Sequence, residues 1–334
     1  MHKEMNFEAE LEQSLLDEGG YARGSPEEYD AERALFPQEI LAFVQATQPA
    51  FWERLVSLNG ANAGTVLLDS LVKELHSKGM LTVLRSGFKC FGRTVKLAYF
   101  APNTGMNPKD AEHYRQNRLT IVRQVVTKSG AIPDIVIAVN GLPVLTMELK
   151  NPMTGQTVEN AKWQYSHERD PNELLFTYKQ RCLVHFAVDT EQVAMTTRLE
   201  GASTFFLPFN LGHHHAAGNP PKTGDVRTWY LREALARDSL LDILARFLHL
   251  EVEEKTIVTS SGIRRITKET MIFPRYHQLD VVRTLVQHAR DHGSGHNYLV
   301  QHSAGSGKSN SIAWLAHRLS NLHDANDNKI FHSV

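Results

Sequence analysis

PDIVIAVNGLPVLTMELKNP, residues Pro133–Pro152, is the stretch whose reading decides the fold. Two apolar runs, Ile135–Val139 and Pro143–Met147, flank Asn140-Gly141, the strongest short hairpin signal because both residues tolerate positive φ. Neither run alternates with polar residues, so each predicts a strand covered on both faces. The charges stand at the ends: Asp134 opens the first strand, and Glu148 and Lys150 close the second. Ends of buried strands are where α/β proteins place chemistry.

Residues two apart in a strand share a face, so Glu148 and Lys150 project together while Leu149 anchors the opposite side. Asp134 and Glu148 can supply the oxygens that a hard ion such as Mg²⁺ requires, with the backbone carbonyl of Leu149 as a further ligand and retained water completing the sphere. A lysine beside such an ion can orient an attacking water and stabilise charge developing on a phosphate. The bland alternative is a salt-bridged surface hairpin, and the apolar strands between the charges argue against it.

Parity tests the shared site. With a two-residue loop, Val139 faces Leu142, and counting back sets Asp134 opposite Met147, on the face away from Glu148. A common metal site therefore requires an effectively odd connection, by a three-residue loop or a bulge, with Gly141 at positive φ. The other route is a bend after Pro133 that lifts Asp134 out of the ladder.

Outward from the hairpin, Phe7, Leu11, Leu15 and Leu16 fall near helical spacing before Gly19-Gly20 and predict an N-terminal helix. Further helices are expected over Glu27–Phe36, Gln38–Gln48, Phe51–Leu58, Val66–His76, Thr157–His167 and Trp229–His249. Strands are expected over Arg93–Phe100, Leu119–Thr127, Leu183–Val188, Gln192–Thr196 and Thr204–Pro208. The expected class is α/β, a mixed sheet flanked by helices. His213-His214-His215 lies in a loop rich in Gly, Asn and Pro, and adjacent loop residues rarely converge on one ion without carboxylate or Cys company.

At 334 residues the chain can hold two domains. With 42% apolar and 22% charged residues, disorder is excluded and a packed core expected. No uninterrupted apolar run approaches the ~18 residues of a membrane span, and the first residues lack a signal-peptide core, so a cytoplasmic protein without a membrane partner is expected. Two cysteines, Cys90 and Cys182, are too few for a disulfide framework and fit a reducing compartment. The net charge of −1 leaves any nucleic-acid contact to local patches or partner subunits.

A second motif lies near the end. His302-Ser303-Ala304-Gly305-Ser306-Gly307-Lys308-Ser309 follows an expected strand, Asn297–Gln301, and precedes an amphipathic helix through Arg318. Glycines let backbone N–H groups turn inward around phosphates, Lys308 suits the β- and γ-phosphates, and the Ser309 hydroxyl suits Mg²⁺. ATP is therefore the expected ligand of Gly305, Ser306, Gly307, Lys308 and Ser309. A strict phosphate loop would carry glycine at His302. The polar stretch Glu253–Thr270 is read as the join, giving domains over residues 1–265 and 266–334.

GFKCFGRTVKLAYFAPNTGMNP, NRLTIVRQVVTKSG, the hairpin, RCLVHFAVDTEQVAMTTRLEG, FFLPFN, FPRYHQLDVV and QHSAGSGKSNSIAWLAHRL follow one another over nearly the whole chain. Together they resemble the PD-(D/E)xK nuclease superfamily, and more closely the restriction subunit of type I restriction-modification systems. The resemblance implies a Mg²⁺-dependent nuclease domain for double-stranded DNA, with Asp134 and Glu148 on the metal and Lys150 serving the water. It also implies the start of a RecA-like, ATP-driven translocase domain, and partners that are the methyltransferase and specificity subunits. In that superfamily an early helix often adds an acid, and a Gln-xxx-Tyr on the helix after the lysine often supports the site. Glu8 is the candidate acid, with Glu12 the alternative. Gln164 lies on the right helix, but Glu168 stands four positions on and Tyr165 is adjacent.

Helicase-type motors tolerate the change at His302, and Arg275-Tyr276-His277-Gln278 resembles their adenine-sensing element, since Gln278 can donate to and accept from an adenine edge. The chain ends at Val334, before the further carboxylate and second lobe a motor needs, so ATP hydrolysis by this stretch alone is not expected. Two other readings stay open: a helicase-nuclease of repair or recombination, and a scaffold with a nuclease fold and an idle site.

Overall fold

Residues 2–214, 216–259, 262–324 and 326–334 are described by the computed structural model. The helices are α1 (His2–Asp17), α2 (Pro37–Thr47), α3 (Pro49–Asn59), α4 (Ala63–Lys78), α5 (Met80–Ser86), α6 (Pro108–Arg115), α7 (Val158–His167), α8 (Tyr230–Leu235), α9 (Arg237–Asp242), α10 (Tyr276–His292) and α11 (Lys308–Ser320). The strands are β1 (Ala22–Arg23), β2 (Phe88–Cys90), β3 (Arg93–Val95), β4 (Leu119–Arg123), β5 (Ile135–Val139), β6 (Leu142–Leu149), β7 (Val184–Val188), β8 (Val193–Thr196), β9 (Leu207–Pro208), β10 (His249–Thr259) and β11 (Gly262–Ile272). Seven of them form one mixed sheet in the order β1-β4-β5-β6-β7-β8-β9. The β1/β4 and β6/β7 pairs are parallel and the others antiparallel.

Every residue of β5 and β6 is buried, as continuous apolar runs require. Asn140 and Gly141 take φ of 51° and 84°, and Val139 pairs with Leu142, so the loop has two residues of the primed hairpin type. Further along, Ala138 pairs with Pro143 but Ile137 pairs with Leu145. Val144 is thus the extra residue of a β-bulge, and it faces the same core as its neighbour Leu145. The bulge restores the odd count. Ile135 faces Met147, and Asp134, one residue before the strand, comes level with Glu148.

The hairpin loop is held by its surroundings. The buried Asn140 side chain accepts from the Arg118 N–H at 2.7 Å and donates to the Leu97 carbonyl at 2.8 Å. Gly141 passes so close to the start of α2 that an added Cβ would stand 2.5 Å from the Phe36 carbonyl oxygen. Gly141→Ala is therefore expected to destabilise the fold by about 3 kcal/mol, combining left-handed strain with overpacking. Thermal or denaturant unfolding measures it; a change below about 1 kcal/mol would mean that the loop yields easily.

The two sheet faces carry separate cores. Ile135, Ile137, Val139, Leu145, Met147 and Leu149 join the larger core with Phe7, Leu11 and Leu15 of α1 and much of the helical remainder. Val136, Ala138 and Ala187 pack on the other face against Val158, Ala161 and Tyr165 of α7. Each fully buried aliphatic side chain stabilises by roughly 1.5–3 kcal/mol. Thr157 caps α7, its hydroxyl accepting from the backbone of Glu159 at 3.4 Å.

Several expected elements differ. Glu27–Phe36 is not a helix: the Asp30 carboxylate accepts from the N–H groups of Glu32 and Arg33, each at 3.0 Å, and this local bonding competes with the helical ladder. Arg93–Phe100 is a strand only to Val95, because beyond it the Gln48 amide satisfies both N–H and C=O of Lys96. Thr204–Pro208 shortens to β9, and Trp229–His249 breaks at Ala236, whose ψ of 149° is not helical. Asn297–Gln301 is not a strand. Among the described residues no strand pairs with it, and Leu299 is 91% exposed.

Pro49–Lys78 is long and apolar enough for a membrane span by length and composition alone. A 3₁₀ turn at Gly60–Asn62 divides it, and Leu67, Leu71 and Leu75 of α4 are fully buried in the larger core. The described residues of the expected join, Glu253–Thr259 and Gly262–Thr270, belong to the paired antiparallel strands β10 and β11. Beyond it, Phe273, Leu279, Val282 and Trp314 join the same core as the sheet.

Candidate active site

The bulge brings Asp134 and Glu148 to neighbouring strand ends on the α7 side of the sheet. The Leu149 N–H donates to Asp134 Oδ2 at 2.7 Å, which draws the carboxylate back over β6. In extended backbone the N–H and C=O of one residue face the same neighbour, so the Leu149 carbonyl also faces the Asp134 side. Glu148 is fully buried, and Arg169 Nε donates to its Oε1 at 2.7 Å. Arg169 is in turn held by the Ile132 carbonyl at 2.9 Å. Glu148 Oε2 is buried with no hydrogen-bond partner.

Burial pushes the Glu148 carboxyl up to about 8, and the neighbouring Asp134 adds to the rise against the opposing Arg169 and Lys150. Burial pushes Asp134 up to about 6, with Glu8 contributing in the same direction. Two carboxyls held together out of water thus share one close guanidinium, that of Arg169. The Lys150 backbone N–H donates to Val188 at 2.8 Å, and its ammonium forms no hydrogen bond or ion pair among the described residues.

Glu8 is the early-helix acid whose charge bears on Asp134; Arg123 binds it at 2.9 Å. Glu12, one turn on, is engaged by Arg23 at 3.1 Å and Arg123 at 3.6 Å. Gln164 is half-buried, and its amide makes no hydrogen bond to Asp134, Glu148 or Lys150. Its neighbour Tyr165 is the buried one. The Tyr165 hydroxyl meets Thr146 Oγ1 at 2.8 Å, two residues before Glu148 on the same face, and Thr146 also meets His185 Nδ1 at 2.7 Å. Burial holds His185 down to about 3, hence neutral.

Arg169 is the residue that sequence reasoning missed. It follows the end of α7 and turns back to the sheet, so no helical or strand period points to it. The only sequence signal is chemical: a pair of buried acids calls for a guanidinium nearby.

The residues fit a divalent ion. Glu148 Oε2 is an orphaned buried acceptor, and Arg169 engages only the other oxygen, Oε1. Among the described residues no group of three or more His, Cys, Asp and Glu side chains is arranged for a metal. A donor set of two carboxylates and a backbone carbonyl would suit Mg²⁺, which keeps several waters on few protein ligands. The His213 and His214 rings lie 4.0 Å apart, tilted by 55°, within their loop, and His215 lies outside the described residues.

In the second motif Gly305 and Gly307 take φ of 72° and 81°, and Lys308 opens α11. Lys308 Nζ donates to the His302 and Ser303 carbonyls at 3.1 and 3.0 Å, while Ser306 is buried and Ser309 exposed. The buried Gln278 amide is engaged within the chain: it donates to the Gly307 carbonyl and accepts from the Arg275 N–H, both at 2.8 Å. This ties the start of α10 to the loop. Without a strand before the loop, the sheet of a RecA-like domain is not formed by these residues.

A mixed sheet flanked by helices, with two acids and a lysine at the ends of adjacent central strands, is an α/β architecture consistent with a nuclease fold. The chain belongs to the family described as the N terminus of the type I restriction enzyme R protein, whose sequence model matches residues 4–204. The HindI endonuclease subunit, a type I restriction enzyme subunit of Haemophilus influenzae, is 25% identical to it over 317 residues. The match covers 91% of this chain and 27% of that protein, so the chain spans about a quarter of the relative's length.

Proposed function

We propose that this chain carries the DNA-cutting centre of a type I restriction enzyme: endonucleolytic, Mg²⁺-dependent hydrolysis of phosphodiester bonds in double-stranded DNA. The observation that carries it is the orphaned Glu148 Oε2, brought level with Asp134 by the Val144 bulge. Asp134, Glu148 and the Leu149 carbonyl would hold Mg²⁺, which when bound supplies charge neutralisation at the phosphate and an acidified water. Arg169 fixes the Glu148 rotamer and keeps Oε2 toward the site. Lys150, on the same face, orients the attacking water and meets the charge that develops on the phosphate oxygens. Glu8 adds negative charge beside Asp134, and the Tyr165–Thr146–His185 chain stiffens β6 beneath the acids.

In the complete subunit, Gly305, Ser306, Gly307, Lys308 and Ser309 would bind the phosphates of ATP, and translocation would precede cutting. Gln278 would read adenine after exchanging its present partners. Methyltransferase and specificity subunits would select the DNA, consistent with the near-neutral charge of this chain. The match to R proteins of restriction enzymes favours this reading over a repair helicase-nuclease or an idle scaffold.

The test uses the acids' linkage to protons. In the unfolded chain both carboxyls titrate near 4, whereas in the folded chain they are raised to about 6 and about 8. Their contribution to stability is therefore fullest below about pH 4 and is lost as pH rises through about 8. A cation bound by both acids reverses that loss. Excess Mg²⁺ is expected to raise the thermal midpoint more at pH 8 than at pH 5, and Glu148→Gln to remove most of the effect. A midpoint at pH 8 that Mg²⁺ leaves unmoved would reject the metal site.

A further inference from the structure

With a net charge of −1, any grip on an anion must be local, and one place gathers positive charge. Asp242, the last residue of α9, receives three guanidinium groups: Arg246 at 3.0 Å, Arg283 at 3.2 Å and Arg318 at 2.8 Å. They come from the π-helical turn Ile243–Phe247, α10 and α11 respectively. All are largely withdrawn from water, Arg318 most of all at 14% exposure. One carboxylate offsets only one of the three charges. Gathering the others beside it is unfavourable without a further anion.

A cavity of about 480 Å³ opens over this cluster. Arg246 and Arg318 line it together with Arg290, His317 and His323, and no Asp or Glu contributes to the lining. Arg290 and His317 are exposed. The C-terminal ends of α10 and α11 offset roughly half a charge each, which leaves the three arginines on Asp242, together with Arg290 in the cavity lining, about two charges in excess.

We propose that this cavity is a phosphate-binding site whose ligand supplies the counter-charge missing at Asp242. Guanidinium forks suit a phosphate because they reach two of its oxygens at once. The site is separate from the glycine-rich loop, since His317 and Arg318 lie near the far end of α11, about 15 Å along the helix from Lys308. The phosphate can belong to a DNA backbone or to a small phosphate compound, and the two are told apart by experiment.

Binding is measured by calorimetric titration with inorganic phosphate, pyrophosphate and a short DNA duplex, in the chain carrying Lys308→Ala so that the glycine-rich loop does not respond. Adding Arg290→Glu and His317→Glu places negative charge at two exposed lining positions outside the Asp242 cluster. Affinity is expected to fall about tenfold or more, the worth of one charge-assisted hydrogen bond. If the duplex alone responds, the ligand is a phosphodiester, and the slope of log affinity against log salt shrinks by about 0.9 for each DNA phosphate that the variant no longer neutralises. If inorganic phosphate or pyrophosphate also responds, a small phosphate compound is the ligand. Arg290→Gln with His317→Asn, which adds no charge, should give the same order with smaller losses and guards against a folding defect. Failure of all three probes to bind, or binding that the substitutions leave unchanged, overturns the proposal.

Discussion

Glu148→Gln in the complete subunit is expected to lower cleavage of double-stranded DNA by about a thousandfold or more, with ATP turnover and assembly unchanged. Glutamine preserves the shape of the side chain and can still accept from Arg169, so the change removes one thing: the anionic oxygen pair at the end of β6. Burial and the neighbouring Asp134 already oppose that charge in the protein alone. The substitution should therefore raise, not lower, stability at pH 8, which separates loss of chemistry from loss of fold. Asp134→Ala and Lys150→Ala should lose cleavage likewise. The measurement is the initial rate of DNA cleavage at saturating Mg²⁺ and ATP; a Glu148→Gln protein cutting within tenfold of the native rate would refute the assignment.

Lys308→Ala in the complete subunit is expected to remove DNA-stimulated ATP turnover, by on the order of a thousandfold, and cleavage with it. The Lys308 ammonium presently closes the loop onto the His302 and Ser303 carbonyls. The acceptors in those contacts are neutral carbonyls, and an anionic phosphate displaces them readily because it adds charge–charge attraction to the hydrogen bond. Cleavage follows because cutting is proposed to require translocation, while the acids beside β5 and β6 are untouched. Steady-state ATP hydrolysis with DNA present decides it, and undiminished turnover would show that Gly305–Ser309 is not a phosphate loop.

Much of this site was legible because its parts are local. Asp134, Glu148 and Lys150 were placed by the period of two in a strand, and Asn140-Gly141 marked the turn through its positive φ. Parity went further: counting from a two-residue loop showed that two acids could share a face only with an odd residue or a bend after Pro133, and the structure supplies the odd residue at Val144. What the count could not name was the bulged residue itself, since Val144 is as apolar as its neighbours. Its neighbours in space set the choice. The parallel ladder to β7 begins at Leu145, and the Val144 carbonyl accepts instead from the Leu183 N–H at 2.7 Å, just before β7.

Gln164 and Arg169 show the same limit from the other side. A helix period puts Gln164 on α7, but only the packed structure turns Tyr165 inward and folds Arg169 back onto Glu148. Likewise Asn297–Gln301 has strand-forming residues and no partner among those described, because a strand is completed by hydrogen bonds that its own sequence cannot supply. By itself, then, the sequence determined the α/β class, the hairpin and the acids and lysine at its ends, all encoded within a few residues by backbone periodicity and turn chemistry. Only the tertiary structure decided the bulge that aligns Asp134 with Glu148, the arginine that grips Glu148 and the three arginines converging on Asp242. Each of these depends on long-range packing and on the cost of burying charge, neither of which is written in any local stretch of chain.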